Sequence, residues 1–223
     1  MKVVTGKVEQ PKDYFLDLSK FRKNVYSQNG EDGVIERLFT LLGVKNGWCC
    51  EFGAWDGRHL SNTFNLINKG WKGVMIEGDR AKFKKLAKTQ RLFPGRIVSI
   101  REYVHYLPGM GRLIDDILSG TSIPIDFDLI SIDVDGPDYH IWKSMTRYRP
   151  KVVIIEHSGI DGEIIQREGA IHKKEVDGST SFWSMKRLGE DKGYRLVVDT
   201  GNMIFVDGYL ISGLEHSSEH TVH

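Results

Sequence analysis

The stretch "YRLVVDTGNMIFVD", Tyr194 to Asp207, constrains the fold more than any other part of the chain. Two apolar runs are separated by Thr200-Gly201 alone. So short a link closes only an antiparallel hairpin, because a parallel pair needs a crossover of a dozen or more residues. Upstream the pattern is different. From Trp48 onward apolar strands alternate with helices: a strand over 48–53, a helix near 60–69, "GVMIE" ending at Glu77, a helix over 80–90 and "RIVSI". A helix near 110–118, "FDLISID" ending at Asp133, a helix over 138–146 and "KVVIIE" ending at Glu156 follow. This alternation predicts a parallel sheet joined by right-handed crossovers and covered by helices on both faces. With the hairpin added, the expected fold class is α/β: a Rossmann-like, doubly wound, mostly parallel sheet of seven strands ending in an antiparallel hairpin. An earlier helix is expected behind Asn29 as cap, with Val34, Ile35, Leu38, Phe39 and Leu42 at helical spacing.

The 223 residues suit one such domain over 25–210, with an N-terminal extension over 1–24 and a tail over 211–223. Residues 157–180, "HSGIDGEIIQREGAIHKKEVDGST", are polar and long for a connection, which reads as a lid or substrate loop. Lys and Arg total 31 against 30 Asp and Glu, so no global field favours nucleic acid or an anionic membrane. No apolar run approaches the ~20 residues of a membrane span, and the first residues lack the apolar core of a signal peptide. Cys49 and Cys50 are adjacent on a strand and point to opposite faces, which is unsuited to pairing and in keeping with a reducing compartment. A soluble, cytoplasmic protein with a small-molecule partner is expected. Monomer and homodimer both stay open.

The first strand of the alternation runs into "CCEFGAWDG", Cys49 to Gly57. In open α/β sheets, ligands bind beyond the carboxyl ends of the strands, where strand order reverses. A dinucleotide loop of the form G-x-G-x-x-G brings backbone close to a pyrophosphate, yet the second glycine position here holds Trp55. Glu51 and Asp56 add negative charge, and no Walker-type Gly-Lys-Ser/Thr lies nearby to offset it. Phosphate is therefore disfavoured. A ligand with a sulfonium, an ammonium and ribose hydroxyls matches better, and S-adenosylmethionine has all three. Ser61, Asn62 or backbone N–H groups could meet its carboxylate, while Glu77 can accept hydrogen bonds from the ribose diol.

Taken together, "YSQNGEDGVIERLF", "CCEFGAWDGRHLSNT", "GWKGVMIEGD", "FDLISIDVDGPDYHIW", "RPKVVIIEHS" and "GYRLVVDTGNMIFV" resemble the successive motifs of one family. It is the FkbM-type branch of class I S-adenosylmethionine-dependent methyltransferases, and the resemblance spans roughly Val25 to Val206. It implies that Glu51, Gly53, Ala54, Asp56 and Gly57 form the first cofactor loop and that Glu77, followed by Gly78, holds the ribose. It also implies that the segment from Ser27 to Asp32 folds over the cofactor through Gln28 and Asn29. Tyr103 and Val104 would flank the adenine, and Asp133 would border the cofactor.

Methyl transfer from a sulfonium is an in-line displacement, so acceptor and methyl must be aligned and a hydroxyl acceptor relieved of its proton. Asp133 and Asp135, on one face if the strand extends that far, and Glu156 with His157 at the next strand end are the candidates. In one reading Asp133, Asp135 or His157 is a general base tuned by nearby like charges. In the other, Asp133, Glu156 and His157 hold Mg2+ or another divalent cation that chelates the acceptor and eases its ionisation. The plainer readings are that Asp133 and Asp135 cap the next helix or hold the Gly136-Pro137 turn, and that His157 is a solvated loop residue. His140, Trp71 and Trp142 read as packing residues, Trp55 fits either account, and the run from Lys82 to Lys88 reads as a solvated helix face.

The function expected is methylation of an oxygen on a small polyhydroxylated acceptor such as a sugar or glycosylated metabolite. The alternatives are an NAD-dependent oxidoreductase, against which Trp55, Asp56 and the hairpin weigh, and a cofactor-binding domain without turnover.

Overall fold

The computed structural model describes residues 18–158 and 180–212. Most of the expected N-terminal extension, the loop over 159–179 and the tail from 213 lie outside the described residues. The strands are β1 (Trp48–Phe52), β2 (Lys72–Ile76), β3 (Ile97–Ile100), β4 (Leu129–Ile132), β5 (Val152–Glu156), β6 (Tyr194–Asp199) and β7 (Asn202–Asp207). They form one sheet in the order β3-β2-β1-β4-β5-β7-β6. β1 to β5 pair in parallel, and β7 runs antiparallel to both β5 and β6. Strand order reverses between β1 and β4, so a crevice opens at their carboxyl ends.

Side-chain alternation along the strands divides the core in two. Cys50, Phe52, Val74, Ile76, Ile130, Ile132, Val153 and Ile155 share one cluster, whereas Cys49, Met75, Leu129, Val152 and Ile154 share the other. Helices α1 (Glu31–Leu41), α2 (Phe64–Asn68) and α3 (Arg80–Leu92) cover the second face. Helices α4 (Ile114–Ser119), α5 (Asp138–Ser144) and α6 (Phe182–Asp191) cover the first. Trp71 and Trp142 are core residues: the Trp71 indole donates to the Lys45 carbonyl at 3.2 Å, and Trp142 lies 5.0 Å from the Phe205 ring. Burying each large apolar side chain stabilises the fold by about 1.5–3 kcal/mol.

Several local expectations are corrected. Gly30, with φ 96, occupies the cap position of α1 in place of Asn29. β4 ends at Ile132, so Asp133 and Asp135 leave the sheet on a turn and share no strand face; Asp135 sits in the left-handed region at φ 58. α2 begins at Phe64, behind a loop in which Leu60 is left-handed at φ 57. Among the described residues no helix is long and apolar enough to cross a membrane.

Candidate active site

The crevice is built first from the end of β1. Glu51 is buried, and its Oε2 accepts hydrogen bonds from Ser61 Oγ and Thr63 Oγ1, both at 2.6 Å, while Oε1 accepts from the Asn62 N–H at 3.0 Å. Burial pushes its pKa up, and those three donors pull part of the way back. Ser61 is thereby turned toward Glu51, and its oxygen also accepts from the Phe64 N–H at 3.0 Å to start α2. Asn62 faces the cavity and donates to Ser131 Oγ at 3.0 Å. Gly53 has φ 66, and a Cβ there would stand 2.1 Å from the Asp133 carbonyl oxygen. Glycine is required here, just beyond the ends of β1 and β4.

The second wall comes from β2. Glu77 Oε2 accepts from the Trp55 N–H at 2.9 Å and Oε1 from the Asp79 N–H at 2.7 Å, so its carboxylate is oriented by two amides. The Tyr103 ring lies so close to Gly78 that a Cβ would be 2.3 Å from it.

These walls enclose a cavity of about 530 Å³. Of the residues expected from the sequence, it is lined by Gln28, Glu51, Gly53, Ala54, Asn62, Glu77, Gly78, Tyr103, Val104, Asp133, Asp135 and Glu156. Asn29, Asp56, Gly57 and Ser61 are not among its lining residues. Asp56 Oδ1 accepts from the Arg58 and His59 N–H groups at 2.9 and 2.8 Å, and Gly57 leaves room for Leu86 of α3. They shape the loop.

Sequence reasoning missed His59, Lys82, Glu102 and Tyr106. Lys82 is no mere solvated face: its ammonium lies 4.9 Å from the centre of the Trp55 ring, whose edge meets His59 at 5.1 Å. Its place in the first turn of the helix after Glu77, directed back over the strand end, is the signal that could have found it. Trp55 itself lines the cavity in the left-handed region, at φ 46. His140 is buried and stacks on Tyr106 at 4.8 Å.

At the ends of β4 and β5, one oxygen from each of Asp133, Asp135 and Glu156 lies within 4.8 Å of the others. His157 neither joins them nor lines the cavity, which corrects its expected place as metal ligand. Successive residues at a strand end diverge, and the imidazole goes to Asp199, with Nε2 3.3 Å from Oδ2 and Nδ1 2.9 Å from the Ser158 carbonyl. Burial opposes charge on His157, but the Asp199 carboxylate outweighs it and raises the pKa. The Asp199 carboxyl is in turn held below its ordinary value: burial acts upward, and His157 and the Gly201 N–H overcome it.

The turn after β4 is held by Asp138. Its two oxygens accept from the Val134 and Gly136 N–H groups, both at 2.9 Å. Burial moves the Asp138 pKa to about 6 against these donors, with the charge of Glu156 adding to the rise. Asp133 is pushed up to about 7 by burial and by the charges of Asp138, Glu156, Asp135 and Glu51. Its side chain meets water in the cavity while protein surrounds it on the other sides, so the upward direction rests chiefly on the crowded carboxylates. Three oxygen donors at this spacing suit a hard divalent cation, and a carboxyl titrating near neutrality suits proton abstraction.

No protein-family model matches the sequence, and no curated protein matches it. Solved structures match in fold. A caffeoyl-CoA O-methyltransferase candidate from Staphylococcus aureus superposes with a TM-score of 0.54 at 17% identity, covering 85% of this chain and 88% of that one. The CurJ carbon methyltransferase gives a TM-score of 0.51 at 9% identity, covering 81% of this chain and 55% of that one. At these identities the likeness is one of fold: the chain carries the Rossmann-like α/β fold of class I methyltransferases.

Proposed function

We propose that the protein is an S-adenosylmethionine-dependent methyltransferase acting on an oxygen of a small polyhydroxylated acceptor, such as a sugar or glycosylated metabolite, and that its affinity is with the FkbM-type branch. The observation that carries the proposal is the charge of the cavity. Among the described residues that line it are seven carboxylates and one lysine, Lys82, at the reversal of strand order in a methyltransferase fold. A pyrophosphate set there would meet acids and an indole where phosphate sites offer bare amides and a helix start. A sulfonium and an ammonium are drawn in by the same charges. This weighs against the nicotinamide alternative.

When bound, the cofactor supplies an electrophilic methyl group. The chain's own residues then have separable tasks. Glu77, fixed by two amides, presents its carboxylate to vicinal hydroxyls. Gln28 and Tyr103 bound the cavity from other elements. Asp133, with its raised pKa, accepts the acceptor's proton. In a second reading, which excludes the first, Asp133, Asp135 and Glu156 instead form an oxygen set that fits Mg2+, which would make the acceptor hydroxyl easier to ionise. The test is transfer of labelled methyl from S-adenosylmethionine to a panel of sugars and glycosides, with Mg2+ or with EDTA. Label on a hydroxyl, lost in Asp133→Asn, is the expected result. Label appearing on amines alone overturns the assignment to oxygen, and turnover unchanged by EDTA removes the cation.

A further inference from the structure

We infer that Glu31 is a positioning residue for the nucleoside cofactor: its carboxylate latches the loop carrying Gln28 to the turn between β6 and β7. The inference rests on the cavity being a site for S-adenosylmethionine, and it assigns a task to a buried acid outside the cavity.

The loop before α1 is tied down on both sides of Gln28. On one side Asp32 Oδ2 accepts from the N–H groups of Val25, Tyr26 and Ser27 at 2.8, 2.7 and 2.7 Å, and Ser27 Oγ accepts from the Asp32 N–H at 3.1 Å. On the other, Glu31 Oε2 accepts from the Asn29 N–H at 2.7 Å. Its second oxygen reaches across to the hairpin, accepting from Thr200 Oγ1 at 2.9 Å and Asn202 Nδ2 at 3.1 Å. Glu31 is fully buried.

The hairpin turn is shaped to receive this loop. Gly201 has φ 116, and a Cβ there would stand 2.9 Å from Asn29 Nδ2. The Arg22 guanidinium donates to the Asp199 carbonyl from the same side. Gln28, the loop residue that lines the cavity, thus lies between the Asp32 cluster and the Glu31 latch. A loop ordered before the ligand arrives loses less freedom on binding, so the latch acts on affinity through Gln28.

A brace that only stabilised the fold would lower the melting temperature and leave the affinity of folded protein unchanged. Calorimetric titration with S-adenosylhomocysteine separates the two roles across wild type, Glu31→Gln, Gln28→Ala and the double variant. Wild type should bind saturably, Glu31→Gln about tenfold more weakly for the loss of a charge-assisted contact. The double variant should bind no more weakly than the weaker single, since both act through one contact. Thr200→Val, which leaves the carboxylate in place, should weaken binding in the same direction and serves, crossed with Gln28→Ala, should Glu31→Gln not fold. Wild-type affinity in Glu31→Gln or Thr200→Val, or losses that multiply in the double variant, would overturn the inference alone. Failure of the wild-type protein to bind overturns the cofactor reading and this inference with it.

Discussion

Asp133 stands where β4 leaves the sheet, with Asp135 and Glu156 close by and Asp138 and Glu51 adding to the negative field. Because its pKa rises on folding, the folded protein holds more protons than the unfolded chain between about pH 4 and about 7. The corresponding stability is fully present below that window and is lost as pH rises through 7. Asp133→Asn should therefore raise the melting temperature of the ligand-free protein at pH 8 by about 1–3 °C. The same variant should cost ~10²-fold or more in methyl transfer, and the wild-type rate should climb with pH through about 7. A variant that melts lower at pH 8 contradicts the crowding of charge. Asp133 was legible in the sequence because it ends an apolar run at the carboxyl edge of the sheet. The pairing of His157 with Asp199 was not, because it depends on how β7 inserts between β5 and β6. Asp138 was hidden for a similar reason: its role exists only once the turn before it has closed.

Among the elements, the two-residue hairpin was readable outright, since no other pairing fits so short a link, and β2 and β5 were readable from unbroken apolar runs. Boundaries were less so. β4 stops before Asp133, where the carbonyl of that residue faces Gly53, and α2 starts only at Phe64, behind a loop in which Leu60 is left-handed. Gly53→Ala tests that junction: the new Cβ would drive the ends of β1 and β4 apart. A loss of about 1–3 kcal/mol or more in urea unfolding is expected, together with lost binding of S-adenosylhomocysteine. Gly43→Ala is the control, since Gly43 is also left-handed, at φ 69, with nothing within 4 Å of the added Cβ. Equal losses in the two variants would show that backbone strain alone, and not the approach of β4, sets the cost at Gly53.

Across the whole molecule the formal net charge is +1, and the acidity that defines the cavity is local. Total charge revealed nothing of it; the positions of acids at strand ends did. The sheet gathers those ends at the crevice between β1 and β4, and the loop before α1 adds Gln28 from the far side. The central claim is that this crevice takes the phosphate-free adenosyl amino acid and refuses a pyrophosphate. Its most direct test is thermal unfolding with millimolar S-adenosylhomocysteine and, in parallel, with NAD. At ~100 times its dissociation constant a ligand adds about 2.7 kcal/mol, which in a chain of this size raises the melting temperature by about 5–10 °C. The account predicts that rise with S-adenosylhomocysteine and none with NAD; a rise with NAD and none with S-adenosylhomocysteine would contradict it.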